Sequence, residues 1–578
     1  MAIAADEPLG SVLLAEGFID QGTLAEALSE LTGLRRASAG ELRTALARLS
    51  AEAAEDVLLT GYLPVSIAEG SVFYATADPA PWRGAGMGMP VAALTTADEL
   101  RAACLSVWGA SILRRARDRL RQDHPHLSAH HRLVPWQGVA LCALCAAATG
   151  TALIAPNTAL LAGALLLCIV FLSVIALKGF AIAADRPSYH AVSEIRLRDD
   201  ELPIYSILVP VFKEIEVLPD LIDALLALDY PASKLDIKLI LEQEDVATRC
   251  AVAAMNLPGC FETLVVPKLD PQTKPKALNY AMAFVRGTYL VIYDAEDRPE
   301  PDQLRQAVAR FAREPENVAC LQGRLSFFNH DENWLTRQFT IEYATLFDLL
   351  LPILAKYNLP VPLGGTSNHF RVDILREVGA WDAFNVTEDA DLGVRLARLG
   401  FRVGVIPSTT YEEANCRLGN WLRQRSRWIK GWIQTWFVHM RQPARLAREL
   451  GWRGFASFQC VTAGIVLSGL LHPLCGAALI WKLATLDSLN IRLGPVDWTL
   501  AFLGAIVFLS GAGIAIASGL MALSHRPELR YLRRSLLTMP IYWLLISIGA
   551  WYAVWEFIRR PFHWQKTRHG ISRRLSLR

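Results

Sequence analysis

Cysteine is sparse and irregular in this chain: ten residues in 578, with no repeating spacing. That excludes a disulfide framework and a zinc ribbon, and it points to a reducing compartment for the soluble parts. The lone Cys142-x-x-Cys145 lies in an apolar run without a second pair, so it reads as small residues packing between helices. His124, His126, His130 and His131 have no acidic or cysteine partner at ligand spacing, which makes that stretch a polar linker rather than a metal site. Net charge is only +2, and no nucleic-acid partner is expected. The arginines crowd instead at the edges of apolar runs, as in Arg114, Arg115, Arg117, Arg119 and Arg121 and again in Arg559-Arg560, where they would meet anionic headgroups. Residues 1–30 also lack the basic start of a signal peptide and alternate apolar and acidic positions at helical spacing.

Apolar residues are abundant, 52% of the chain, and concentrated in long runs. A chain of 578 residues is too long for one core and should hold two or three units. Residues 1–125 read as a small soluble helical or α+β domain, opening with two packed helices that place Leu9, Leu13, Leu24 and Leu28 face to face, with Gly17 and Asp20 at the turn. Residues 133–183 form a transmembrane hairpin, 133–155 and 157–183, since each run crosses about 30 Å of hydrocarbon at about 1.5 Å per residue. Arg132, Lys178 and Arg186 flank it while its turn carries no charge, so the flanking domains are expected in the cytoplasm, at an inner membrane. Three further runs, 455–481, 498–523 and 536–558, precede a basic tail, 559–578. Both the tail and the basic loop His525–Arg534 favour the cytoplasm, so one of the three is expected to be re-entrant, interfacial or split, and Pro540 marks the last.

Between the membrane runs, residues 200–440 change character. Short apolar runs at 205–212, 237–241, 264–267 and 289–293 alternate with helical patterns at 217–228 and 275–285, which predicts an α/β unit on a parallel sheet with ligands at the carboxyl ends of its strands. The residues suited to chemistry fall at those ends. Asp294, Glu296 and Asp297 follow a buried strand, and two carboxylates two apart point the same way, as a hard cation such as Mg²⁺ or Mn²⁺ requires; an ordinary acidic turn is the plain alternative. Thr387 is expected to cap the helix whose first turn holds Glu388 and Asp389, where the dipole keeps a carboxylate ionised and fit to act as a general base. Gln424, Arg427 and Trp428 share one helix face, offering a guanidinium to phosphate and an indole to a sugar ring. The same stretch reads equally as an interfacial helix, with Trp421, Trp428, Trp432 and Trp436 as a belt and Arg417, Arg423 and Arg425 snorkelling. Lys274 and Lys276 open another helix where anions are favoured, and Glu242 at a strand end is placed to meet a base or ribose.

With these motifs in place, residues 203–440 resemble the processive family 2 glycosyltransferases, the group that includes bacterial cellulose, hyaluronan and chitin synthases. The resemblance implies a GT-A fold and inverting, metal-dependent transfer of a hexose from a UDP-sugar, UDP-glucose or a close relative, to a growing polysaccharide or a lipid. On that basis Asp294, Glu296 and Asp297 hold the metal and Asp389 with Glu388 supplies the base. Lys276, Asn279, Glu242, Gln424 and Arg427 hold the UDP-sugar, and Trp428, Gly365, Thr366 and Ser367 face the acceptor, with Gln322, Phe327 and Phe328 nearby. Glu296 stands where the family has a second aspartate, and Glu242-Gln243 where it has an Asp pair. The adjoining bilayer helices leave room for an export partner. Residues 8–31 resemble the N-terminal domain of type II secretion and pilus assembly ATPases, some of which bind cyclic di-GMP. The polar ends of that motif are here Pro8 and Leu31, so a docking or oligomerisation role is preferred. A membrane scaffold without activity is the non-enzymatic alternative.

Overall fold

The computed structural model describes residues 9–68, 71–77, 90–184, 197–488, 494–562, 566–567 and 569–572; Pro8, Arg186 and tail residues 573–578 lie outside them. The N-terminal unit opens with helices Leu9–Ala15 and Gln21–Thr32, the second capped by Asp20, whose side chain accepts from Thr23 N. Gly17 makes the turn at φ 77°, a conformation that favours glycine. The leucine face differs from expectation. Leu9 is 63% exposed, and Val12, Ala15 and Ala25 are buried instead, because the first helix lies against a neighbouring domain: a Cβ on Gly259 would stand 2.0 Å from Leu14 O. Strands β1 (Arg35–Arg36), β2 (Tyr62–Ala68), β3 (Ser71–Thr76) and β4 (Val91–Leu94) form a sheet in the order β1-β4-β3-β2. A 27-residue helix, Ala97–Asp123, follows, started by a reciprocal capping box between Thr96 and Glu99.

That long helix forms a seam with the α/β domain. Ala116 O accepts from Asn279 Nδ2 at 2.9 Å, Arg117 donates to Asp270 O at 3.3 Å and Arg119 to Arg376 O at 3.0 Å. The same Asn279 donates to Trp381 O at 2.7 Å and accepts from Trp381 N at 3.1 Å. One side chain therefore joins three segments.

The α/β domain is built on eight strands: β5 (Tyr205–Val211), β6 (Leu235–Glu242), β7 (Phe261–Val266), β8 (Tyr289–Ile292), β9 (Arg298–Pro299), β10 (Val318–Phe327), β11 (Asn368–Arg371) and β12 (Arg402–Glu412). Their order is β7-β6-β5-β8-β11-β10-β12-β9. The first four run parallel; β5, β6 and β8 are buried almost throughout, as continuous Val, Ile and Leu runs predict for strands covered on both faces, while β7 at the sheet edge is buried only at Leu264 and Val266. The chain reverses its order of strand addition beside β5: β6 and β7 lie to one side and β8 to the other. The carboxyl ends at that reversal are where an open α/β sheet leaves a crevice.

Among the described residues six helices are long and apolar enough to cross a membrane: Pro135–Ile154, Pro156–Ala184, Trp334–Lys356, Pro443–Pro473, Pro495–Ser524 and Pro527–Arg559. Most of Trp334–Lys356 is buried inside the protein, and it carries Tyr343 and Phe347 to the floor of the crevice. The last run is irregular just before Pro540, where the 3-10 helix Pro527–Thr538 passes into Met539–Arg559. Pro540 sits in the first turn of Met539–Arg559, where its missing N–H breaks no helical bond, whereas Pro473 lies inside Ile465–Ser488 and the preceding turn, Cys460–Gly464, is π-helical.

Candidate active site

A cavity of about 330 Å³ opens at the carboxyl ends of β5, β6 and β8. Glu214, Glu242, Asp294 and Glu296 line one side of it, Glu388, Asp389, Gln424, Arg427 and Trp428 another, and Gly364, Gly365 and Thr366 form a ledge between. Segments more than 200 residues apart in sequence thus meet in one space.

The loop after β8 is closed by its own last carboxylate. Asp297, with no exposed surface, accepts from Asp294 N at 2.6 Å and from the Thr366 hydroxyl. It fastens the loop to the ledge and does not face the cavity, so it is not placed to ligate a metal as expected from sequence. Asp294 and Glu296 do face it. Gln322 shapes the ledge, accepting from Gly364 N at 2.7 Å and donating to Thr366 O at 3.0 Å. Ser367, at φ 55°, turns its hydroxyl away to Thr410 Oγ1, so Gly365 and Thr366 line the cavity and Ser367 does not.

The lysine helix Lys274–Ala281 presents a different residue from the expected ones. Lys274 Nζ stands 2.6 Å from Asp294 Oδ1 and donates to Gly365 O at 2.7 Å. Lys276 is wholly buried, donating to Leu269 O at 3.1 Å and reaching the cavity only through Glu242, 3.6 Å away. Asn279 is spent on the seam described above. Lys276 and Asn279 are therefore framework residues here, and the half-turn between positions 274 and 276 decides which lysine faces the cavity.

Thr387 precedes helix Glu388–Arg398 but its side chain makes no cap; the hydroxyl reaches Trp428 O at 3.4 Å instead. The reason is the close approach of the interfacial helix Leu418–His439, where Gly431 lies so near that a Cβ there would come within 1.7 Å of Thr387 Oγ1. This contact sets Glu388 and Asp389 opposite Arg427 and Trp428. Gln424 Oε1 is oriented by Asn415 Nδ2 at 2.8 Å, and Trp428 stacks on Tyr343 with ring centroids 6.2 Å apart. Two members of the expected belt lie inside. Trp421 is fully buried, and Arg425 binds both oxygens of Glu342 at 2.8 and 2.6 Å while lying over the Phe339, Trp421 and Trp428 rings. Arg425 braces the helix and does not snorkel.

The tail adds groups that its basic composition hid. Lys566, Thr567 and His569 line the same cavity; Lys566 Nζ is 3.2 Å from Glu214 Oε1, and His569 Nδ1 is 3.0 Å from Glu296 Oε1. Glu214, Glu412 and these tail residues were missed because each acts across a long loop closure, although the Lys566-Thr567-x-His569-Gly570 cluster was a readable polar signal.

Electrostatics follow from the crowding. Burial first and Glu388 second push Asp389 well above the usual carboxylate range, against the pull of Lys274. Burial likewise raises Glu388, while Lys274 and Arg427 lower it. Burial works to lower the Lys274 ammonium, but Asp294, Asp389 and Glu388 outweigh it and hold it raised. Glu296 is pushed up to about 8 by burial and by Asp294. Desolvation thus wins over the helix-terminus effect that would have kept Asp389 ionised. For a base, a raised pKa means that the competent anion appears only at higher pH. A reaction that uses Asp389 as its base should therefore show kcat/KM falling as pH is lowered, with its acidic limb displaced above ordinary carboxylate values; a limb at about pH 4, the ordinary carboxylate value, in a pH–rate profile would contradict this.

The donor set suits a hard divalent ion: the Asp294 and Glu296 oxygens share the cavity, and buried Glu242 Oε2, Asp389 Oδ1 and Glu412 Oε1 have no hydrogen-bond partner. Residues 289–554 match the family model described as Glycosyl transferase family group 2. The chain is 27% identical over 234 residues to "Probable glycosyltransferase YdaM" of Bacillus subtilis (strain 168), covering 40% of this chain and 56% of that protein. It is 27% identical over 222 residues to "Glucomannan 4-beta-mannosyltransferase 2" of Arabidopsis thaliana, covering 36% and 41%. The chain spans about half the length of the curated relatives it matches. Among solved structures, a mannosyltransferase from Pyrobaculum calidifontis in complex with GDP-Man and Mn²⁺ is 19% identical, covers 62% of this chain and 99% of that one, and superposes with a TM-score of 0.37.

Proposed function

From a glycosyltransferase family 2 domain over residues 289–554, we propose a membrane-embedded inverting hexosyltransferase that draws on a nucleoside-diphosphate sugar and extends a polysaccharide. The observation that carries this reading is the convergence of Asp294, Glu296, Asp389, Gln424, Arg427 and Trp428 on one cavity. Asp389 takes the proton of the acceptor hydroxyl as that oxygen attacks the anomeric carbon, with Glu388 beside it holding charge of the same sign close to Lys274 and Arg427. Arg427 and Lys274 receive the diphosphate that leaves, since fixed cations in a desolvated cleft stabilise charge that develops in the transition state. A Mg²⁺ or Mn²⁺ ion at Asp294 and Glu296 supplies further neutralisation of the leaving diphosphate when bound. Trp428, stacked on Tyr343, offers the acceptor ring a flat apolar face, and Gly365 and Thr366 form the ledge beneath it.

The donor is a UDP-sugar on the motif resemblance, with Glu242 Oε2, buried and without a partner, as the acceptor for its base or ribose. The mannosyltransferase names of two relatives make a guanosine-diphosphate mannose donor the second arm to test. Purified membranes given UDP-glucose, UDP-N-acetylglucosamine or GDP-mannose with Mg²⁺ should release nucleotide with one donor and form a polymer. A product extracted wholly into lipid solvent as a single-sugar adduct would replace the polymerising assignment with lipid glycosylation.

A further inference from the structure

We propose that the C-terminal tail contributes a ligand to the divalent cation, so that His569, Glu296 and Glu214 form a metal centre not contained in the Asp294-x-Glu296 motif. Its role rests on the transferase reading above; its geometry does not. One ligand atom from each of the three residues lies within 4.8 Å of the others, and His569 Nδ1 is 3.0 Å from Glu296 Oε1. Cis ligands each about 2.1 Å from a shared ion stand about 3 Å apart, so little rearrangement separates this cluster from an occupied site. The residues come from three separate places: the loop after β5, the loop after β8 and the tail.

Asp294, the other motif carboxylate, is already paired with Lys274 at 2.6 Å and Glu214 with Lys566 at 3.2 Å, whereas Glu296 is met by the His569 ring at 3.0 Å. Carboxylates outnumber lysines and arginines around the whole cavity, and Asp389 Oδ1, nine-tenths or more buried, faces the same space with no hydrogen-bond partner. A cation answers that surplus. The tail is built into place rather than draped across the mouth. Glu413 accepts from three consecutive amides, Gly570, Ile571 and Ser572, and Ser572 Oγ donates to Glu332 at 2.6 Å. On the other side of His569, Lys566 lies 5.5 Å over the Phe212 ring. Carboxylate oxygens with one imidazole suit Mn²⁺ well. An ion bound here would also tie the tail across the crevice while the donor is present.

The test is pulsed electron paramagnetic resonance on the full-length protein in detergent, loaded with Mn²⁺ alone. A directly bound imidazole nitrogen modulates the Mn²⁺ echo. The wild-type protein should show that modulation, and His569→Gln should lose it, with Mn²⁺ affinity falling about tenfold or more. Glu214→Gln should weaken Mn²⁺ binding while keeping the nitrogen signal, which guards against a general loss of fold. A wild-type echo free of nitrogen coupling, or a His569→Gln protein with unchanged coupling and affinity, overturns the proposal. If coupling is absent while the same preparation still transfers sugar, the metal centre falls and the transferase reading stands. If a nitrogen-coupled centre forms in a protein that transfers no sugar, the metal centre stands and the transferase reading falls.

Discussion

Asp389→Asn should lower the proposed sugar transfer at least about a hundredfold, because it removes the group proposed to receive the acceptor proton and leaves the shape of the cavity intact. The carboxylate is buried on the first turn of helix Glu388–Arg398 with one oxygen unpaired, so the amide fits the same space and breaks no hydrogen bond of that oxygen. Donor binding should be little changed, since the diphosphate contacts are proposed for Lys274 and Arg427. The effect should therefore appear in kcat, measured by nucleotide release at saturating donor, with KM for the donor near the wild-type value. A variant that retains most of its rate would remove Asp389 from the reaction and revive the scaffold reading.

Gly431→Ala should be nearly as damaging although it touches no substrate. The added methyl would stand 1.7 Å from Thr387 Oγ1 and 2.3 Å from Thr387 Cβ, and it can fit only if the interfacial helix draws away from helix Glu388–Arg398. Overpacking of this kind costs about 1–3 kcal/mol of stability. Its larger consequence is geometric. Arg427 and Trp428 ride on the moving helix and Asp389 on the fixed one, and a displacement of about 1 Å between reacting groups can cost about a hundredfold in rate. Thr387→Gly combined with Gly431→Ala removes the two closest clashing atoms, leaving only the Thr387 backbone N at 2.9 Å, and should recover much of the loss, a coupling that thermal unfolding and kcat together would reveal. Additive losses in the double variant would mean that Gly431 matters for some other reason.

The fate of individual residues shows which parts of this molecule were legible in its sequence. β5, β6 and β8 were readable because a strand buried on both faces is a continuous apolar run, and the carboxyl ends of β6 and β8 carried Glu242 and Asp294 with them. Asp389, Gln424, Arg427 and Trp428 were readable because their spacing is that of one helix face, a local property. Lys274 and Lys276 differ by two positions on one short helix, and only the packing of that helix against Ala97–Asp123 decides which points at Asp294; no local pattern contains that information. Asp297 was read as a ligand because an acidic turn looks the same whether its last carboxylate faces a cavity or closes its own loop. Glu214 and His569 meet across more than 350 residues, and a tail rich in arginine reads as a membrane contact until its partners are seen. Arg425 and Trp421 read as a belt because a helix bearing tryptophan and arginine carries the same composition whether those groups meet lipid headgroups or a half-buried Glu342.

The seam at Asn279 bears on how the protein holds together when heated. Its amide is shared between the Ala116 carbonyl of the N-terminal unit and the Trp381 backbone ahead of helix Glu388–Arg398, and Leu14 O sits against Gly259 without room for a side chain. Melting the N-terminal segment alone would strand a buried amide and uncover close-packed backbone, so the two parts should lose their structure in a single calorimetric transition, although the sequence divides them into separate domains.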